Sequence, residues 1–166
     1  DIPSFDKGAD NICLLAMDNL EDPQNLGQII RSAECAGIDG ILIPEHGNVQ
    51  ITSTVLQVSQ GAFIHLPLYH CGNLHQQLRN LKSQGFWVVG VENSIQAKYW
   101  NELNYKRRLV IVMGSEGKGI RPLIRKTCDD LITIPMQGKI NSLNVSAAVS
   151  AVVFERHRQM LQACTN

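Results

Sequence analysis

Apolar and polar residues alternate along this chain in short blocks. Ile12 to Met17 is an apolar run of strand length that stops at Asp18. The stretch N-L-E-D-P-Q-N-L-G follows and is dense in turn residues. Ile29, Ile30 and Ala33 recur at helical spacing, which predicts a helix from about Leu26 to Ala36, stopped by Gly37. Gly40 to Pro44 reads as a second strand, residues 45–48 as a loop and Ser53 to Ser59 as a short helix. Phe63 to Leu68 reads as a third strand. Asn73 is placed to cap a helix over Leu74 to Ser83, with Leu74, Leu78 and Leu81 on one face and Gly85 at its end. Phe86 to Val91 and Leu109 to Met113 read as further strands, separated by a polar and aromatic loop over Ser94 to Asn104. A short helix over Arg121 to Lys126, a strand over Leu131 to Ile134 and a helix from about Val145 complete the chain.

Strands separated by helices predict an α/β domain with a mostly parallel sheet flanked by helices. The unbroken apolar run Val110 to Val112 suits a strand covered on both faces. In such sheets ligands collect beyond the carboxyl ends of the strands. Three polar, glycine-containing loops follow strands, at 19–28, 114–120 and 135–144, and are the candidates for one shared site.

Length and composition narrow this picture. A chain of 166 residues with a hydrophobic fraction of 44% fits one domain with a substantial core. Residues 1–10 lack periodicity and read as a tail or linker, leaving 11–166 as the folded domain. The chain begins at Asp1 rather than Met, which is read as a fragment or trimmed form. No apolar run reaches membrane-spanning length and no leader pattern is present, so no membrane partner is expected. The five cysteines include no C-x-x-C pair and read as free thiols of a reducing cytoplasm. Cys71 lies near His65, His70 and His75, but the spacing matches no standard zinc module, and no metal is expected.

Formal net charge is +0, yet the charge is segregated. Residues 1–50 contain nine acidic side chains and two basic ones, Lys7 and Arg31. Residues 106–126 contain seven basic side chains against Glu116 alone, a segment that can follow a phosphate backbone. The plain alternative is a solvated surface.

Several familiar motifs are absent. The G-S-E-G-K-G run at 114–119 lacks the earlier glycine and the following hydroxyl of a nucleotide-binding P-loop, with Val112 and Gly119 in those places. No G-x-G-x-x-G follows the first strand, and no G-x-S-x-G occurs. Three ordered blocks remain: D-N-L-E-D-P-Q-N-L-G-Q-I-I-R-S-A-E at 18–34, V-M-G-S-E-G-K-G-I at 112–120, and I-P-M-Q-G-K-I-N-S-L-N-V-S-A-A at 134–148. In order and spacing they closely resemble the three motifs of the SpoU family of RNA ribose 2′-O-methyltransferases, in the SPOUT superfamily. The resemblance runs from about residue 12 to 158.

The resemblance implies S-adenosylmethionine as methyl donor, with S-adenosylhomocysteine as product. It also implies an α/β fold with a deep trefoil knot near the C-terminus, and a homodimer. Pattern reasoning alone would not propose a knot, since true knots are very rare. The branch it most resembles methylates a guanosine 2′-hydroxyl in large-subunit rRNA and usually carries a separate N-terminal RNA-binding domain. A tRNA substrate and a catalytically silent RNA-binding relative are the alternatives. A methyltransferase acting on a base or a protein fits the first block less well.

Carried onto matching positions, the resemblance makes Asn25, Arg31, Glu116, Ser142 and Asn144 the catalytic set. It assigns the donor to Met113, Gly114, Glu116, Gly117, Ile134, Met136, Ser142, Leu143 and Asn144. Backbone groups at Gly114, Ile134, Met136 and Leu143 would hold its adenosine part. The chemistry of the residues agrees with these roles. A ribose hydroxyl is a poor nucleophile at neutral pH, and a guanidinium stays charged, so Arg31 suits stabilising an alkoxide or gripping a neighbouring phosphate. Its bland alternative is a surface pair with Glu34. Glu116 suits orienting Arg31 or Asn25, contacting substrate, or pairing with Lys118. Ser142 and Asn144 offer a hydroxyl and an amide where the last helix begins.

Overall fold

A computed structural model describes residues 2–5, 9–45, 50–94, 96–115 and 117–164, except the side chains of 163 and 164. Among these residues, seven strands form one sheet: β1 (Cys13–Asp18), β2 (Gly40–Pro44), β3 (Leu68–Cys71), β4 (Trp87–Val91), β5 (Lys98–Tyr99), β6 (Leu109–Gly114) and β7 (Asp130–Thr133). Five α-helices accompany them: α1 (Pro23–Cys35), α2 (Ser53–Val58), α3 (Leu74–Ser83), α4 (Pro122–Thr127) and α5 (Val145–Cys164). The strand order is β3-β2-β1-β6-β4-β7-β5, and every pairing is parallel.

The central strands are apolar because both faces are covered. Cys13, Leu15 and Met17 of β1 point into a core shared with Ile29 and Ile30 of α1 and Val149 and Val152 of α5. Leu14 and Ala16 point the other way, into a second core with Leu74 and Leu78 of α3 and Ile124 of α4. Successive side chains of a strand serve opposite faces, so one strand feeds both layers. The helix after β1 covers one face and the helix after β6 covers the other. The chain therefore diverges between the carboxyl ends of these neighbouring strands and leaves a crevice there.

Two expectations along the chain need correcting. The apolar stretch from Phe63 is not a strand: Ala62–Ile64 form a 3₁₀ turn, and the strand is Leu68–Cys71. Gly61 at φ 81° turns the chain there, and period-2 reasoning cannot see such a turn. The stretch from Ser94 to Asn104 is not wholly loop, because Lys98–Tyr99 pair with β7. In the leading segment Ile2 and Phe5 pack against the second core, while the other described residues are exposed. Phe5 meets Phe86 edge-on at 5.5 Å, and the Ala9 carbonyl accepts from Arg108 Nε at 2.9 Å.

β7 lies between β4 and β5, two strands consecutive in sequence. From β5 the chain returns past β7 and β4 to β6, with Leu103 and Tyr105 buried in the α1/α5 core. The chain leaving β7 must then reach that same face to form α5, which packs on α1. The β5–β6 crossover and the chain from β7 to α5 thus run on the same face of the sheet.

Candidate active site

The three loops singled out from the sequence meet at the crevice between β1 and β6. Register sets Asp18 beside Gly114 at their carboxyl ends. Asp18 is almost fully buried, and its carboxylate accepts from the Arg121 backbone N–H at 2.9 Å and Arg121 Nε at 2.8 Å. A buried carboxylate needs such partners, and this one anchors the far end of the 115–120 loop to β1.

That loop is a tight return. Gly119 N–H donates to the Ser115 carbonyl at 2.9 Å, and Gly117 and Gly119 have φ of 82° and 65°. A Cβ on Gly114 would lie 2.2 Å from the Gly119 carbonyl carbon and 2.5 Å from Ile120 N. The glycine is therefore required by the loop's own backbone. The sequence offered only a small residue where a ligand could approach.

Beside it is a pocket of about 390 Å³, within the range of roughly 300–1,000 Å³ usual for small-ligand sites. Of the residues assigned to the donor, Met113, Gly114, Gly117, Ile134, Met136, Ser142 and Leu143 line it. Asn144 does not line it, and Glu116 lies outside the described residues. Val91, Glu92 and Asn93 at the end of β4 line it too, as do Ser115, Lys118 and Asn141. Ser115, Lys118 and Asn141 lie inside the sequence blocks without having been assigned to the donor, and the β4 residues were missed because the loop after β4 carries no glycine motif. Its place at a carboxyl strand end was the available signal. Asn93 Nδ2 donates to the Asn141 carbonyl and ties the two walls together.

The pocket has unmet hydrogen-bonding capacity. Among the described residues, three buried side-chain polar atoms lack a hydrogen-bond partner: Glu92 Oε2, Ser115 Oγ and Arg156 Nε. The first two residues line this pocket. Buried polar atoms are otherwise nearly always paired, so they fit a ligand with polar edges in a mainly apolar slot.

Asn144 joins the third block to the first. It caps α5, its Oδ1 accepting from the Ser146 backbone N–H at 2.9 Å. That donor is unambiguous, so the Asn144 amide must turn its Nδ2 toward Asn25, whose Oδ1 accepts at 3.1 Å. Buried Asn25 consequently has its oxygen occupied and its NH₂ available. Asn25 lines a smaller hollow of about 210 Å³ that shares Ser115, Lys118 and Val145 with the first pocket. The Ser146 hydroxyl continues the line, donating to Gln28 Oε1 at 2.7 Å. Ser32 and Ser150 meet at 2.9 Å farther along the same helix pair.

Arg31 is on a different part of α1. The helix begins at Pro23, so Arg31 lies two turns in, about 9 Å along the axis from Asn25. A start at Leu26 would put it only about one and a half turns in. The residue is exposed and faces a separate hollow with Gln28, Gln57, Gln60, Ser146 and Ser150. It makes no hydrogen bond or ion pair among the described residues, so the surface pair with Glu34 does not form.

The basic segment does not form one surface. Arg107 and Arg108 precede β6 and belong to the end of the sheet opposite the site. Arg107 stacks on the Trp87 ring at 4.2 Å, and Arg108 donates to Ala9 and Gln84 carbonyls. Arg121 and Arg125 pair with Asp18 and Glu92 at the site end, where Lys118 is exposed. Cys71 is buried with its thiol pushed up to about 11 by burial, and His75 Nδ1 meets Thr127 Oγ1 at 2.8 Å. No metal-holding cluster of His, Cys, Asp and Glu occurs among the described residues.

The model of the SpoU rRNA Methylase family matches residues 13–154. A protein assigned to the TrmH family of tRNA/rRNA methyltransferases from Staphylococcus saprophyticus is 42% identical over 146 residues, 88% of this chain and 58% of that protein. The AdoMet-bound rRNA methyltransferase from Sinorhizobium meliloti superposes with a TM-score of 0.85 at 26% identity, covering 92% of this chain and 58% of the other. A structure described as an RNA 2′-O ribose methyltransferase superposes at 0.82 with 30% identity, again over 92% and 58%. The chain thus spans a little under three fifths of these relatives. SpoU methyltransferases have a knot fold, and here β7 lies between β4 and β5.

Proposed function

Because the chain belongs to the SpoU rRNA methylase family, we propose that it transfers a methyl group from S-adenosylmethionine to a ribose 2′-hydroxyl of RNA. The observation that carries this reading is the Asn144–Asn25 hydrogen bond, set where the 390 Å³ pocket and the Asn25 hollow share Ser115, Lys118 and Val145. It brings a donor-sized slot and a polar acceptor hollow into contact. Bound there, S-adenosylmethionine would supply an electrophilic methyl on a positively charged sulfur.

The chain's own residues then have separable tasks. Met113, Ile134, Met136 and Leu143 give a flat apolar slot for adenine, with backbone amides beside it. Asn25 directs its NH₂ at the acceptor ribose and can hold an oxygen lone pair there. Arg31, charged and unpaired among the described residues, suits the adjoining phosphate or the charge developing on the ribose oxygen. Ser142, also free of a partner among the described residues, offers a hydroxyl at the pocket rim.

A guanosine of large-subunit rRNA is the substrate we assign. Mapping 2′-O-methylation in total RNA from cells lacking the gene tests this. Loss of one rRNA guanosine mark is the expected result, and loss of a tRNA mark instead would move the substrate. Complete retention of marks, beside intact donor binding by calorimetry, would leave a silent RNA binder. The reading also includes a cytoplasmic location, supported by four described cysteines that are free thiols. No helix among the described residues is long and apolar enough to cross a membrane.

The same reading makes the protein a homodimer with α5 at the interface. Val149, Val152 and Val153 of α5 face the core, while Ala147, Phe154 and Leu161 are exposed and available to a second copy. Sedimentation at micromolar concentration should give a dimer, and a lone 18.4 kDa species would refute it.

A further inference from the structure

We propose that the Glu92 carboxylate is the acceptor for the donor's ribose hydroxyls. This rests on the assignment of the 390 Å³ pocket to S-adenosylmethionine. Glu92 follows β4, where its backbone N–H donates to the Ile132 carbonyl at 2.9 Å, and its side chain is only 18% exposed. It is the one carboxylate among the described residues lining the pocket. Its Oε2 is buried without a hydrogen bond, although Arg125 Nε lies 3.2 Å away as an ion-pair partner.

That ion pair selects the ligand group. A carboxylate already neighboured by a guanidinium gains little from a second cation, and the donor's amino-acid ammonium would face Arg125 as a like charge. Neutral hydroxyls suit it better, since a carboxylate has about four lone-pair positions and a cis-diol supplies two donors. Position agrees. The Asn25 hollow meets the pocket at Ser115 and Val145, on the β1/β6 side. Glu92 directly follows β4, which is on the far side of β6 from β1. It therefore meets a part of the donor away from the acceptor hollow.

Calorimetry with S-adenosylhomocysteine, and with analogues lacking the 2′- or 3′-hydroxyl, tests the assignment. Glu92→Gln should weaken S-adenosylhomocysteine binding by about 10- to 100-fold, the range of hydrogen bonds to a charged group. The parent should prefer the full ribose over at least one deoxy analogue, and the variant should lose that preference. Glu92→Asp, which keeps the charge, should retain part of it, and thermal melting of each variant checks folding. 5′-Methylthioadenosine, which lacks the ammonium, should show the same loss in Glu92→Gln as S-adenosylhomocysteine. A loss confined to ligands with the ammonium, or a ribose preference that survives in Glu92→Gln, overturns the proposal. If the parent binds no S-adenosylhomocysteine, the pocket assignment itself falls and this falls with it.

Discussion

At the residue scale, similar-looking polar side chains do different work because of what already occupies them. Asn25 is bonded through its oxygen and Asn144 through both ends, so each has one orientation. Arg121 and Arg125 are held by carboxylates, whereas Arg31 is not. Arg31→Ala should therefore lower single-turnover methyl transfer by about 100-fold, the scale of losing one charge-stabilising donor. Donor affinity, read by calorimetry, should stay at the parent value, because Arg31 faces a different hollow. Arg31→Lys should recover little, since an ammonium lacks the planar fork. An unchanged transfer rate removes Arg31 from the mechanism, and lost donor binding makes it a pocket residue. Gly114→Val should act differently, through the backbone of the 115–120 loop. It should cost about 1–3 kcal/mol of stability as an overpacked site and abolish donor binding. Urea unfolding beside calorimetry checks both, and an unperturbed melt would mean the loop yields.

At the element scale, the edge of the sheet is tied down by charge. Asp130 opens β7 and accepts from Trp87 Nε1 at 2.8 Å and pairs with Lys98 Nζ at 3.0 Å. Burial opposes its ionisation, but the hydrogen bonds from Trp87 and Lys98 outweigh it and hold the carboxyl below its usual 3.8. A carboxyl depressed in the folded state stabilises that state when ionised. The contribution is therefore complete above the unfolded value and vanishes as pH falls through the folded one. Asp130→Ala should destabilise by about 1 kcal/mol or less at about pH 6, as expected for a partly exposed pair. That difference from the parent should shrink on acidification below about pH 4. A gap in urea midpoints that persists at about pH 3 would assign the cost to packing.

At the scale of the whole molecule, a parallel sheet separates residues that are close in sequence. β6 carries Arg107 and Arg108 at one end and Lys118 beyond the other, about 20 Å apart along six residues of strand. RNA that reaches the acceptor hollow must meet the Lys118 end. Lys118→Glu should weaken RNA binding and lower its salt slope by about one, for the phosphate no longer neutralised. Arg107→Glu should leave RNA affinity near the parent value in the same filter-binding assay. The opposite ranking would place the RNA on the far end of the sheet.

The sequence by itself determined what local spacing can encode. Unbroken apolar runs gave the central strands, Asn73 gave the α3 cap, and three ordered blocks gave the family and seven of the residues that line the pocket. It also placed Asn144 at the start of α5, where its amide was bound to cap. Tertiary structure decided everything that depends on strand order. β7 lies inside the β4–β5 pair, which brings Glu92 and Asn93 to a pocket otherwise made by residues 113–119 and 133–148. Gly114 proved to be fixed by Gly119 and Ile120, and the basic segment was split between two ends of the sheet. Local periodicity records which face of an element is apolar. It does not record which element will lie next to it, because pairing and crossover are set by contacts between residues tens of positions apart.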